Sequence, residues 1–210
     1  PYKFTLVSVV FSLPILLLSF QLWSQVKENI RQTANSVAGV QIIQELRLLE
    51  SASAEFRDLM MAYNHDRFAT TLKQIQGQQK IIDDQLELLV KNHNQRLLTE
   101  NQLTRLKNAW IAWKNENLGS RIMLREYMQA YGSLTDETAL ISREISKTSG
   151  LNNDSDHIIN TEINFYFDHL QPLLNINSKL RGYGNSALNM QYLDSVTFTE
   201  VDSAFFKAQE

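Results

Sequence analysis

From Phe4 to Trp23 the chain runs for twenty residues without a charged side chain, FTLVSVVFSLPILLLSFQLW. At about 1.5 Å per residue in a helix, that length matches a hydrocarbon core of roughly 30 Å, and it predicts a membrane-spanning helix over residues 1–25. Lys3 flanks one end, and Trp23 stands where an interfacial aromatic belongs. Pro14, in the middle, is compatible with a membrane helix, because neighbouring groups take up the freed carbonyl. A cleaved signal peptide would have a shorter apolar core followed closely by a small-residue cleavage site, and Gln21 to Arg31 offers none.

Beyond this run the pattern changes from continuous to periodic. Val26, Ile30, Val37, Val40, Ile43, Leu46 and Leu49 recur at threes and fours, with one gap at Thr33 and Ala34. That narrow seam predicts a helix continuing from the membrane segment to about Tyr63, with a turn at Asn64, His65 and Asp66. A second helix is expected from Arg67 to Lys91, with Leu72, Ile75, Ile82, Leu86 and Leu89 on one side. Asn92 to Gln95 breaks it. Thr99 and Gln102 fit a capping box, which opens a third helix to about Asn117 carrying Leu103, Leu106, Trp110 and Trp113. A fourth is expected over Leu118 to Ser149, interrupted at Tyr131-Gly132-Ser133. Gly150 to Ser155 reads as a loop, and Asp156 as the cap of a helix to Tyr192 that Pro172 bends or closes a turn within. Thr197 and Glu200 repeat the capping-box pattern ahead of a last helix.

Between Lys27 and Pro172 there is no proline, glycine is rare, and no segment alternates apolar with polar residues. The expected fold is therefore all-α: a membrane-anchored up-and-down bundle of long antiparallel helices, residues 26–210 forming one domain outside the membrane. The chain starts at Pro1 and stops at Glu210 within a helical pattern, and it reads as a piece of a longer protein.

Charge and chemistry narrow the function. The net charge is −3, with Lys and Arg scattered among Asp and Glu, so nucleic-acid binding has no electrostatic support. The absence of cysteine excludes a disulfide scaffold, a thiolate zinc site and a cysteine nucleophile. Asn152, Asp154 and Asp156 alternate like calcium-loop ligands, but His157 stands where that loop needs Gly and Ile163 where it needs Glu. A turn with a helix cap accounts for them. None of His65, His93, His157 and His169 has a histidine four residues away, so no helical metal site is marked. No catalytic triad order, phosphate loop or cofactor fingerprint is present. Trp110 and Trp113 share a face with Leu103 and Leu106. Core packing explains them, with the lining of a ligand pocket, alongside Tyr183, as the alternative. Arg47 and Arg57 are ten residues apart, about 280° round the helix, and so are expected on different faces. The two glycines of Arg181-Gly182-Tyr183-Gly184 each cost about 1 kcal/mol against Ala in a helix, which points to close helix packing, a kink or a ligand against the backbone.

With these residues placed, the chain resembles the N-terminal half of a group of bacterial transmembrane receptors that includes methyl-accepting chemotaxis proteins, sensor histidine kinases and diguanylate cyclases. The resemblance rests on Phe11 to Leu18 with its Leu-Pro, on Leu46-Arg47 and Phe56-Arg57 at a ten-residue separation, and on Ser149-Gly150-Leu151 followed by Asp154-Ser155-Asp156. It extends to Pro172-Leu173-Leu174 followed by Arg181-Gly182-Tyr183-Gly184, and to the capped start at Thr197 to Glu200. The pieces are in order and cover nearly the whole chain. Two depart from the family: Ile158-Ile159 stands near the place of a tyrosine pair, and Phe56-Arg57-Asp58 replaces His-Arg-Gly.

The resemblance implies a periplasmic sensor region in the bacterial inner membrane, most often of a chemotaxis receptor and otherwise of a histidine kinase or diguanylate cyclase. It implies a homodimer, a second membrane span downstream, and a small-molecule ligand or a periplasmic binding protein as stimulus. It places Arg47, Arg57 and Arg181 at recurring positions, where they would hold a carboxylate bidentately unless Glu50, Glu55 or Asp58 pairs with them. No cofactor and no catalytic residue is expected in this segment. A single-span coiled-coil tether without a ligand is the alternative.

Overall fold

The computed structural model describes residues 2–66, 69–92, 97–114, 124–153, 157–190 and 195–207, with side chains from Ser12 onward apart from some next to the gaps. The described residues form helices without a strand. The first, α1, spans Tyr2–Asp66 without a break, 65 residues in all; the backbone expected to turn at Asn64 stays helical through Asp66. Then follow α2 (Ala69–Asn92), α3 (Glu100–Lys114), α4 (Leu124–Thr148), a 3₁₀ turn (Leu151–Asn153), α5 (His157–Phe165), a π-helical turn (Tyr166–Leu170), α6 (Gln171–Met190) and α7 (Ser195–Lys207).

Partner contacts fix the directions of α1, α3, α4 and the α5–α6 rod relative to one another. Ser36 on α1 faces Ser149, Glu50 faces Thr138, and Arg57 faces Tyr131. One number rises as the other falls, so α1 and α4 are antiparallel. By the same test Gln102–Glu144 and Arg105–Glu137 set α3 antiparallel to α4. Arg47–Tyr166, Arg57–Ser178 and Asp58–Arg181 rise together, so the α5–α6 rod lies parallel to α1. The up-and-down bundle expected from the sequence is thus present in α1 to α4, with α6 packed against both α1 and α4.

On α1 the buried positions Ile42, Leu46, Leu49, Ser53, Phe56 and Met60 alternate steps of four and three, the spacing of a helix seam in a bundle. They meet Ile75, Ile82 and Leu89 from α2, Leu103 and Leu106 from α3, and Leu134, Ile141 and Ile145 from α4. On α4 the buried Thr135 and Ser142 return their hydroxyls to their own helix, at Gly132 O (3.0 Å) and Thr138 O (2.8 Å). They are thus satisfied without a partner from another helix.

Several local expectations change. The interruption foreseen at Tyr131-Gly132-Ser133 is absent and α4 runs straight through. It ends at Thr148, one residue before the expected Ser149, and Gly150 follows with a φ of +83°, the left-handed conformation that closes helices. Thr99 and Gln102 do form the capping box: the Thr99 amide donates to Gln102 Oε1 at 2.7 Å, and the Gln102 amide to Thr99 Oγ1 at 3.3 Å. Before Pro172 the helix widens into the π turn, in which the Gln171 amide donates to Tyr166 O, five residues back. This loosening relieves the clash a proline ring makes with the carbonyl four residues earlier. The last helix starts at Ser195, two residues ahead of the expected cap at Thr197. The cap expected at Asp156, the helix ends at Asn117 and Tyr192, the helix starts at Arg67 and Leu118, and the histidines 65, 93 and 157 lie outside the described residues or side chains.

Among the described residues no helix is long and apolar enough to cross a membrane; the side chains of residues 4–11, the first part of the apolar run, lie outside them. In the remainder, every large apolar side chain from Leu13 to Trp23 is more than half exposed.

Candidate functional site

Arg47 and Arg57 of α1 both reach the α5–α6 rod, at two levels. An ideal helix leaves ten residues about 80° apart by the short way round, inside the face of about 100° that a neighbouring helix covers. The separation of faces expected from the spacing therefore does not hold.

At the lower level Arg57 is fully buried. Its Nε and Nη2 donate to Asp58 Oδ1 at 2.8 and 2.7 Å, and its Nη1 donates to Ser178 O and Oγ at 2.8 and 3.1 Å. The guanidinium lies 4.5 Å from the centre of the Tyr131 ring, whose hydroxyl is 2.9 Å from Ser178 Oγ. Burial pushes the Tyr131 hydroxyl above its ordinary pKa, with Arg57 opposing that shift. Arg181, mostly exposed, reaches Asp58 Oδ2 at 3.2 Å. One carboxylate thus bridges two arginines, and the like charges are offset within the chain. Gly182 makes room for this: a Cβ there would stand 3.1 Å from Arg57 Nε and 3.2 Å from Met128 Cε. With its donors engaged by Asp58 and Ser178, Arg57 holds α1, α4 and α6 together and does not present a fork to a ligand.

At the upper level Arg47 Nη1 donates to the Tyr166 hydroxyl at 2.7 Å, and the guanidinium sits 5.5 Å from that ring's centre. Its nearest carboxylate, Glu50, is 3.9 Å away, too far for a hydrogen bond. Thr138 donates to Glu50 Oε1 at 3.2 Å. Beside Arg47 opens a cleft of about 690 Å³ between α1 and α5, walled by Val40, Ile43, Leu48, Leu151, Ile163 and Phe167. Gln44, Arg47, Glu162 and Tyr166 supply its polar groups.

The aromatic residues singled out in the sequence take different places. Trp110 and Trp113 are buried at the bundle centre with Phe56, the ring centres 4.8 to 5.7 Å apart in edge-to-face contact. Trp110 Nε1 donates to Asp83 Oδ1 at 2.7 Å, and the ring also borders a small cleft of about 260 Å³ with Lys107 and Ile111. Tyr183 is buried and borders a polar cleft of about 550 Å³ with Asp136, Glu137 and Lys179. The structure therefore brings Arg57 and Arg181 together around Asp58 and sets Arg47 apart.

Sequence reasoning did not single out Tyr166 or Ser178. Pro172 was their signal: the helix it interrupts is the one whose π turn begins at Tyr166 and whose next turns carry Ser178 to Arg57. Comparison with protein families, curated proteins and solved structures finds no match to this chain.

Proposed function

We propose that this chain is the sensor region of a membrane-anchored bacterial receptor. In this reading residues after about 26 lie in the periplasm, and a second span and an output module follow. The observation that carries it is α1. One unbroken helix of 65 residues, roughly 100 Å, joins the exposed apolar run to a bundle whose core it helps build. A helix apolar on every side is stable only when something apolar surrounds it, and a bilayer does so for the run ending at Trp23. At the other end, α1 meets the α5–α6 rod through Arg47 and Arg57. A stimulus that favours one packing of that rod over another would shift or turn α1 as a rigid piece. A chemotaxis receptor is the first choice of output, with a histidine kinase or diguanylate cyclase next; a structural tether would have the anchor without the stimulus.

The test uses the chain's lack of cysteine. A single cysteine at the exposed Ser51 should react with a membrane-impermeant maleimide in intact cells, and the chain should stay in the membrane fraction after an alkaline wash. Labelling only after lysis, or release by the wash, would overturn the reading.

A further inference from the structure

The cleft beside Arg47 differs from the hollows at Tyr183 and Trp110. The hollow at Tyr183 is lined by Asp136, Glu137 and Lys179, and the one at Trp110 is small. The Arg47 cleft has the volume of a small-molecule site, within the usual range of roughly 300–1,000 Å³, and almost wholly apolar walls.

Its polar end is built with care. The Arg47 guanidinium is little more than a third exposed and is fixed by the Tyr166 hydroxyl, which occupies one of its nitrogens. Among the described residues it makes no other hydrogen bond, so the rest of the fork remains for a ligand. Glu162, the other charge at the rim, is exposed on α5 and screened by solvent. Tyr166 and its neighbour Phe167 both line the cleft at the start of the π turn, a device that recurs at functional sites.

We infer that this cleft binds a small amphipathic monocarboxylate, its apolar body against Val40, Ile43 and Ile163 and its head on Arg47. A neutral amphiphile would leave the arginine only the Tyr166 hydroxyl and Glu50 at 3.9 Å, with most of its fork unused, and a bare carboxylate would leave the walls unfilled. The inference rests on the sensor reading for what binding does, and on the cleft's own chemistry for what is bound. Because the ligand touches both α1 and the rod, occupancy tightens their contact at the Arg47 level.

The whole chain, reconstituted in lipid nanodiscs, is titrated calorimetrically with octanoate, octanol and acetate, empty discs giving the reference. Octanoate should saturate, octanol should bind at least roughly tenfold more weakly, and acetate should not bind in the same range. Arg47→Lys keeps the charge and removes the fork, so it should weaken octanoate at least about fivefold while leaving octanol unchanged. Leu48→Trp, at an exposed wall position, should weaken both without lowering the melting temperature. Absence of saturable octanoate binding would overturn the inference, as would binding that neither variant changes or equal affinity for octanol. So would octanoate failing to bind while Leu48→Trp separates two associated chains, since the cleft would then be an interface between copies. None of these results alters the labelling of Ser51→Cys, so the site can fail while the sensor reading stands.

Discussion

Gly182 and Gly184 stand two residues apart in one helix and face opposite demands. A methyl group at 182 would press on the Arg57 guanidinium, which four hydrogen bonds hold in place, whereas at 184 no described atom lies within 4 Å of a Cβ. Overpacking costs about 1–3 kcal/mol and the gain in helix propensity is about 1, so Gly182→Ala should lose stability, by about 1 kcal/mol. Gly184→Ala should gain about 0.5–1 kcal/mol. Urea unfolding followed by circular dichroism separates the two, and equal effects would show that Gly182 is not held by Arg57. Glu50 offers a pH test. Burial pushes its carboxyl above the ordinary value of 4.5, with Arg47 and the Thr138 hydroxyl pulling it part of the way back. The folded chain then holds this proton more tightly than the unfolded chain does, so its contribution is full below pH 4.5 and falls as pH rises through the raised value. Glu50→Gln should therefore match the parent at pH 4 and exceed it at pH 7; the opposite order would mean the ionised carboxylate is stabilising. At this scale the sequence marked the arginines and the glycine pair. It also named Asp58 among three possible carboxylate partners, but could not say that this one would serve both Arg57 and Arg181, because that depends on α6 lying parallel to α1.

Helix ends were readable where the signal is local. The Thr99–Gln102 box closes within four residues, and the structure forms it as the spacing predicts. Gln102 Nε2 also donates to Glu144 Oε2 at 2.5 Å, so the cap of α3 is tied to α4. Thr99→Ala should cost about 1 kcal/mol, and faster hydrogen exchange at the first amides of α3 should accompany it. An unchanged exchange rate there would mean that α3 is held by its packing alone. Where the signal is a residue that merely disfavours helix, tertiary contact overrode it. Gly132 was read as a break, yet Tyr131, Leu134 and Thr135 around it are buried and keep α4 whole. Pro172 was read as a bend or a closed turn, and the helix answered with a π turn instead. The choice between these is set by what lies alongside, here Phe167 buried in the bundle and Tyr166 on Arg47.

Over the whole molecule, the seam that looked continuous from Val26 to Leu49 divides in two. Steps of three lag about 60° each, so Val37, Val40, Ile43, Leu46 and Leu49 walk round α1 from an outer face to the bundle core. Leu46 and Leu49 are fully buried, while Val26, Ile30, Val37 and Val40 remain 47%, 66%, 54% and 41% exposed. The fold class was legible because it needs only periodicity and the scarcity of breakers. The division of the seam was not, because it shows only once α2 to α6 have covered one side of α1. The exposed stripe from Val26 through Ile30 and Thr33 to Val37 keeps the 3.5-residue spacing of a two-stranded coil, and a second copy of the chain is the partner that the proposed receptor supplies. Cysteines placed singly at Ile30 or Val37 should then form disulfides between chains in membranes, against a background free of native thiols. Gln32, exposed but about 120° round the helix from the stripe, should react less. Cysteine at Leu49 should not react at all, since α1's own bundle covers it. Equal yields at Gln32 and Ile30 would indicate random collision, and no crosslink at either stripe position would leave α1 without a partner and remove the dimer from the proposed mechanism.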